Sequence, residues 1–379
     1  MPDRPRLTPP VADVRRAVRR ALPAVPVRAA GPEGLVGVSG GPDSLALALA
    51  VAFEAPRAGR RIGAVVVDHG LQPGSAAVAE RAAATARDLG LDPVLVEAVS
   101  VGDQGGPEAA ARAARRGAFD RALAATGATR ILTAHTLDDQ AETVLLGLGR
   151  GSGPRSIAGM VEHRPPFWRP LLGVRRSTTR AACVDQGLPV WDDPWNADPA
   201  YTRARLRDEV LPLLEEVLGG GVAPALARTA VLLREDLDAL DRLAAAELEG
   251  LLAEGGLPAA ELAGLPDALR RRVLRSWLGG AGVPDLQAVH LRAVDALLTR
   301  WRGQGAVALP DALRRRVLRG WLGGAGVPDL QAVHLHAVDA LLTRWHGQGP
   351  VALPGGAAVV RASGRLVVQH PTNFEEHQR

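Results

Sequence analysis

The chain contains no lysine: its 45 basic residues are all arginine. That excludes a Walker A loop, whose lysine must reach the β- and γ-phosphates of a nucleotide. A single cysteine, Cys183, excludes a disulfide framework and a cysteine-ligated zinc or iron–sulfur site within one chain. Aromatic residues make up only 3%, so Leu, Val and Ala must fill the cores. No apolar run is long enough to span a bilayer. Met1 to Ala30 carry Arg and Pro but no signal-peptide core, and Asp3 and Asp13 disfavour a transit peptide, so a cytoplasmic location is the expectation.

What is present is ample for folding. A length of 379 residues implies two or three domains, and 47% hydrophobic content supplies sizeable cores. The net charge of +4 permits a nucleic-acid partner without demanding one.

The stretch Ser39-Gly40-Gly41-Pro42-Asp43-Ser44 organises the chain. Gly34 to Val38 before it reads as a buried strand, and Leu45, Leu47 and Leu49 after it favour a helix. Glycines let a backbone approach an anion, and the first N–H groups of a helix have no internal partners. Pro42 suits the first helical position. Asp43 beside a polyphosphate would be repelled unless Mg²⁺ lay between them, so the loop implies a metal. The plainer alternative is a helix capped by Ser39.

Strands and helices then alternate. Val11 to Leu22 reads as a basic helix, Ile62 to Val67 as a strand ending in Asp68-His69-Gly70, and Ala76 to Leu89 as a helix. Pro93 to Val99 reads as a strand, Glu108 to Ala125 as a helix, Arg130 to Ala134 as a strand and Asp138 to Leu148 as a helix. This predicts an α/β fold, a doubly wound parallel sheet of Rossmann-like type, with ligands beyond the carboxyl ends of its strands. Ser39, Asp68-His69 and His135 would converge on that rim.

In His135 to Thr143, Thr136 can cap a helix whose first turn is acidic. Asp138 and Glu142, four apart, repel unless a cation joins them. Glu108, Arg112 and Arg115 read by spacing as surface ion pairs. Arg203, Arg205 and Arg207 open a helix and read as a solvated face or as phosphate contacts.

These motifs resemble the tRNA(Ile)-lysidine synthetases of the N-type ATP pyrophosphatase (PP-loop) superfamily over roughly residues 30 to 215. The matching pieces are Ser39 to Ser44, Val67-Asp68-His69-Gly70-Leu71, Glu108 to Arg115, and Asp138 to Thr143. Gly151 to Gly153, Arg169 to Leu172, Asp193-Pro194 with Asn196, and Arg203 to Arg207 match as well. The resemblance implies a PP-loop enzyme that uses ATP and Mg²⁺ to adenylate the wobble cytidine of an isoleucine tRNA with a CAU anticodon. Free L-lysine then displaces AMP. It implies that Ser39, Gly40, Gly41, Pro42, Asp43, Ser44, Val67, Asp68 and His69 bind ATP, with Asp43 and Asp139 serving the metal. Asp43, His135, Asp138, Asp139, Glu142 and Arg112 would carry the chemistry, and Arg115, Arg203, Arg205 and Arg207 would hold tRNA. The chain departs from the family pattern at Arg116-Gly117, Thr136-Leu137 and Trp195.

Beyond the linker-like Gly219 to Gly221, residues 265–308 and 309–352 are nearly the same text at an offset of 44 (309 − 265). They differ only at Ser276/Gly320, Arg292/His336, Arg302/His346 and Ala306/Pro350. Each copy reads as two amphipathic helices closed by Gly-Gln-Gly, and a hairpin over Ala358 to Gln369 follows. A helical array suits such a period, yet distinct capping repeats are not evident. A surplus copy would otherwise expose apolar faces or swap between chains, which makes a homodimer an expectation. The reading is a PP-loop catalytic domain over 1–218 and a mainly helical tRNA-binding domain over 222–379. Two alternatives stand: another PP-loop tRNA-modifying enzyme, or a non-catalytic tRNA-binding relative. Lone Cys183 disfavours a cysteine-dependent thiolase.

Overall fold

The computed structural model describes residues 7–24, 31–70, 72, 74–100, 102, 107–151, 153–253, 259–280, 283, 286–299, 311–362 and 365–370. The chain divides into two compact units, 1–234 and 235–379.

The first unit opens with α1 (Pro9–Ala21), β1 (Gly34–Val38), α2 (Pro42–Arg57), β2 (Ile62–Asp68), α3 (Ser75–Asp88) and β3 (Val94–Ala98). It continues with α4 (Pro107–Thr126), β4 (Arg130–Leu132), α5 (Leu137–Gly149), α6 (Pro154–Ile157), β5 (His163–Arg164), β6 (Phe167–Trp168) and α7 (Arg176–Asp185). The sheet order is β3-β2-β1-β4-β6-β5, parallel except for the β5–β6 pair. Alternation along β1 sends Val36 and Val38 into one core and Leu35 into another. The first core includes buried residues of α1, α2, α3 and α7; the second includes Phe119 and Ala122 of α4. A sheet covered on both faces is the expected doubly wound form.

β1 pairs with β2 on one side and β4 on the other, in register from Gly34. The strand order therefore reverses at β1, and the crevice beyond its carboxyl end is the ligand position such sheets offer.

After α7 come α8 (Thr202–Arg205), a π turn over Leu206–Val210, and α9 (Leu211–Val217), followed by α10 (Val222–Ala253). Gly219 to Gly221 all adopt positive φ and turn the chain between α9 and α10. This turn lies inside the first unit instead of bounding it. Glu215 accepts from the N–H groups of Val222 and Ala223 at 2.9 and 3.0 Å, and Ala223 packs with Ala141 and Leu211.

The second unit contains α11 (Ala259–Gly264), α12 (Asp267–Gly280), α13 (Ala288–Thr299), α14 (Asp311–Gly324) and α15 (Ala332–Thr343). Strands β7 (Val351–Ala352), β8 (Ala358–Ala362) and β9 (Arg365–Gln369) form an antiparallel sheet, one strand more than the expected hairpin. The two copies fold alike but have different neighbours. The core around α12 and α13 includes Ala244 and Leu251 of α10 and Leu262 of α11. The core around α14 and α15 includes Leu353, Ala357 and Val359, with Leu366 and Val368 packed against it. Val317 of α14 packs against the first core. The unit is thus a short stack with helices covering one end and a small sheet the other, so caps not evident from the sequence are present. Gly303-Gln304-Gly305 of the first copy lies outside the described residues.

Candidate active site

The loop after β1 is held by its own side chains. Ser44 Oγ donates to the Gly41 carbonyl at 2.9 Å and accepts from the Ser39 N–H at 3.1 Å. Ser39 therefore does not cap α2; the N-cap is Gly41, with Pro42 following. Gly40 has φ +84°, the left-handed turn that glycine allows. Its carbonyl accepts from Trp191 N–H at 3.0 Å, which brings the segment around Asp193 beside the loop.

Asp43, on the first turn of α2, faces α7. Thr179 Oγ1 donates to Asp43 Oδ1, and Arg176 Nε stands 3.5 Å from Oδ2. Burial raises the Asp43 pKa to about 6, with the Asp139 charge adding to the rise against Thr179, Arg176 and Arg207. Cys183 belongs to the same packing: its thiol donates to the Pro42 carbonyl at 3.2 Å, and burial pushes its pKa up to about 12. At neutral pH it is a protonated, inert thiol.

Thr136 and Asp139 form the capping box expected for α5. Asp139 Oδ2 accepts from Thr136 N–H at 2.7 Å and from Thr136 Oγ1 at 2.8 Å. That pair accounts for Thr136, one of the departures from the family pattern. Arg176 Nη2 donates to Asp139 Oδ1 at 2.6 Å, and its Nη1 to Glu142 Oε1 at 3.1 Å. Arg175 Nε donates to Asp138 Oδ1 at 3.1 Å, and the Arg176 N–H donates to Asp138 Oδ2 at 2.7 Å. The cation that relieves the Asp138–Glu142 repulsion is thus a pair of arginines at the start of α7. Arg207, in the π turn, donates through Nε to Glu142 Oε1 at 3.1 Å. Glu142 Oε2 is buried with no partner among the described residues.

Facing this acidic centre is a basic rim. His135 Nδ1 is 3.0 Å from Thr133 Oγ1. Burial lowers the His135 pKa to about 4; Asp139 opposes this, and Arg169, Arg115 and Arg112 reinforce it, so the ring is neutral at pH 7. His69 is shifted down as well, first by burial and then by Arg115. Arg115 is surrounded by protein mass yet open to solvent. Desolvation and the charges of Arg112 and Arg203 lower its pKa. Arg112, Arg115, Arg169 and Arg203 thus lie close enough for their charges to act on this end of the site. Arg112 and Arg115 are both exposed; the Glu108 side chain, the other half of the expected surface ion pairs, lies outside the described residues.

The remaining positions are more peripheral. Asp68 Oδ1 accepts from Gly70 N–H at 3.0 Å, and Val67 packs against the core on the α4 side. Arg205 forms an exposed ion pair with Glu209 four residues on, at 2.9 Å, away from the other two arginines of its segment. Arg116 lies 5.7 Å from the Phe167 ring centroid, and Trp195 stacks on Tyr201 at 6.1 Å. Leu71, Ser152 and the Asn196 side chain lie outside the described residues. Arg175, Arg176 and Thr179 were not among the expected site residues, although a cluster of carboxylates signals that some cation must answer it.

The carboxylates beside the loop differ in their fitness for Mg²⁺. Asp43 Oδ2 suits a hard cation: it is partly open, beside the glycine loop, and 3.5 Å from Arg176 Nε. Asp139 does not suit it in this arrangement, because Thr136 and Arg176 occupy both of its oxygens. Mg²⁺ needs only one or two carboxylates where phosphates supply the rest. No group of three or more metal-ligating side chains occurs among the described residues.

Known proteins agree with this architecture. The PP-loop domain family matches residues 15–214, and the TilS substrate binding domain family matches twice, at 257–312 and 307–367, once for each copy. The tRNA(Ile)-lysidine synthase of Leifsonia xyli subsp. xyli is 60% identical over 279 residues, covering 72% of this chain and 84% of that protein. The synthase of Streptomyces coelicolor is 54% identical over 328 residues, covering 79% and 93%. That of Mycobacterium bovis is 57% identical over 277 residues, covering 72% and 83%. A glycine phosphate loop at the switch point of a parallel sheet, a carboxylate centre beside it and these relatives agree: the chain belongs to the tRNA(Ile)-lysidine synthase family.

Proposed function

We propose that the chain is an ATP-dependent ligase that joins free L-lysine to the wobble cytidine of a CAU-anticodon isoleucine tRNA. The observation that carries this reading is the meeting of two subsites on one rim. The Ser39–Ser44 loop offers backbone N–H groups to a polyphosphate, and beside it the partly open Asp43 carboxylate offers Oδ2 to a cation. In the first step the cytidine carbonyl oxygen attacks the α-phosphorus of ATP, and pyrophosphate leaves. In the second, the lysine ε-amine attacks the adenylated carbon, AMP leaves with the oxygen, and the amine loses its proton. Asp43 would hold Mg²⁺, which when bound would supply charge neutralisation for the phosphates of ATP. Glu142, fully buried, holds Arg176 and Arg207 in place at the edge of the site. His135, kept neutral by burial, presents an uncharged ring at the site. Arg112, Arg115 and Arg203 meet the RNA phosphates.

The deciding experiment incubates the protein with transcript, ATP, Mg²⁺ and isotopically labelled lysine, then weighs the wobble nucleoside by mass spectrometry. The labelled adduct with stoichiometric AMP is expected. Sulfur at a tRNA base would favour the thiolase alternative, and tight tRNA binding without AMP release would favour a non-catalytic relative. Among the described residues no single helix is long and apolar enough to cross a membrane.

A further inference from the structure

We infer that the cleft between the C-terminal half of α5 and α6 seats a backbone phosphate of the tRNA strand, next to the nucleotide being modified. This rests on the function proposed above. The cleft has a volume of about 300 Å³ and is lined by Arg150, Arg155 and Arg203, with Thr143, Ser156 and Gly147 among the rest and, among the described residues, no acidic side chain. Three guanidinium groups with hydroxyls and no carboxylate match a phosphodiester, which planar guanidinium forks bind in bidentate fashion.

The wall of the cleft is built rigidly. A Cβ at Gly147 would stand 2.5 Å from the Ser156 carbonyl, so α5 and α6 pack backbone to backbone there. Gly159 has φ +63°, and a Cβ on it would meet Gln140 Oε1 at 2.6 Å. Gln140 is buried; it donates to the Met160 carbonyl at 2.8 Å and accepts from the Met160 N–H at 2.6 Å. Arg234 Nη2 also donates to that carbonyl, at 2.8 Å. Buried polar groups thus fix a loop that carries Arg155 and Ser156.

Position argues for a strand of RNA over the phosphates of ATP. From Asp139 to Arg150 the helix rises about 16 Å, too far for one triphosphate anchored at the Ser39 loop. Arg203 joins the two regions, because it lines the cleft and its charge acts on Arg115 at the rim. A ligand that touches the reaction centre and this cleft together is a polynucleotide.

The test is the double variant Arg150→Gln with Arg155→Gln, two exposed positions. We expect tRNA affinity to fall on the order of ten-fold and the slope of log affinity against log salt to shrink by about 1 to 2. ATP binding without tRNA should stay within two-fold of the parent, with unchanged melting. A wild-type affinity and salt slope would overturn the cleft assignment. Weakened ATP binding with tRNA binding intact would also overturn it, by giving the arginines to the nucleotide. If the parent itself forms no lysidine, the function proposed above fails, and the variant's tRNA affinity still judges the cleft.

Discussion

Arg176 donates to Asp139 at 2.6 Å and so joins the cap of α5 to the start of α7. The same guanidinium reaches Glu142 at 3.1 Å and Asp43 at 3.5 Å, placing one cation among three carboxylates from two helices. Glu142 is fully buried, so the cluster is a desolvated ion network, strong while complete and costly when broken. Replacing Arg176 by Gln should destabilise the fold by about 3–5 kcal/mol, the range for removing one partner of a buried pair. Denaturant titration of the variant checks it; a loss under 1 kcal/mol would mean that water already screens the cluster.

Asp43→Asn should abolish Mg²⁺-dependent turnover while making the free protein more stable at neutral pH. The carboxylate's pKa is raised to about 6 from its ordinary value by burial. A raised pKa means that the folded state holds the proton longer than the unfolded state. The Asp43 contribution is therefore fully favourable below about pH 4 and is lost as pH rises through about 6. Melting curves should show the variant gaining on the parent between those pH values and keeping its lead above them. Ordinary turnover in the variant, or a lead that grows on acidification, would remove the assignment.

Asp139→Asn separates two duties that the sequence presented as alternatives. As a capping-box residue alone, Asp139 would contribute about 1 kcal/mol and little to activity. The structure gives it both the cap, through Oδ2, and the Arg176 contact, through Oδ1. Asparagine retains an acceptor but removes the charge that opposes Arg176. We expect modest loss of stability and a fall in AMP release of at least ten-fold. Unchanged AMP release with a lowered Tm would leave capping as its whole role.

How much of this was legible in the sequence follows contact distance along the chain. The glycine loop and the capping box are written within six residues, where Gly, Pro, Thr and Asp have strong local preferences. The sheet was legible because strand and helix periods alternate cleanly. Arg176 was not, since its partners lie 34 and 37 residues away and Thr179 meets Asp43 across 136. An arginine next to another arginine carries no local mark of which carboxylate it answers. The split of Arg203, Arg205 and Arg207 among a cleft, a surface pair and Glu142 depends on a π turn that spacing alone does not reveal.

Affinity for tRNA should fall steeply with added salt. The basic rim offers guanidinium groups, and aromatic residues that could stack on bases are only 3% of the chain. Each phosphate contact releases a counterion, so several contacts give a slope of several units. Filter binding across a salt series measures it, and a flat profile would exclude a phosphate-dominated interface.

Deleting residues 265–308 should leave lysidine formation intact and shift Tm by no more than about 3 °C. The join restores local text: Gly264 meets Leu309-Pro310-Asp311 where it met Leu265-Pro266-Asp267. The retained copy has the side chains needed to take over the contacts of the lost one. Arg270 is buried and bonds Asp295 at 2.5 Å and the Leu265 carbonyl at 2.7 Å. Arg314 already makes the equivalent bond to Asp339, and after deletion Leu309 stands where Leu265 stood. Val317 and Leu318 occupy the places of Val273 and Leu274, which pack in one core with α10 and α11. The hairpin keeps the copy it already covers. In a stacked array stability is the sum of each repeat and each interface. Deletion retains both end interfaces and removes one copy with the contact made through Val317. An isolated helix pair cannot bury its apolar face alone, so the lost repeat contributes little by itself. Melting, size-exclusion chromatography and the labelled-lysine assay on the shortened chain decide the matter. Non-cooperative unfolding, or loss of tRNA-dependent AMP release, would show that the first copy has become necessary to the core or to the RNA surface.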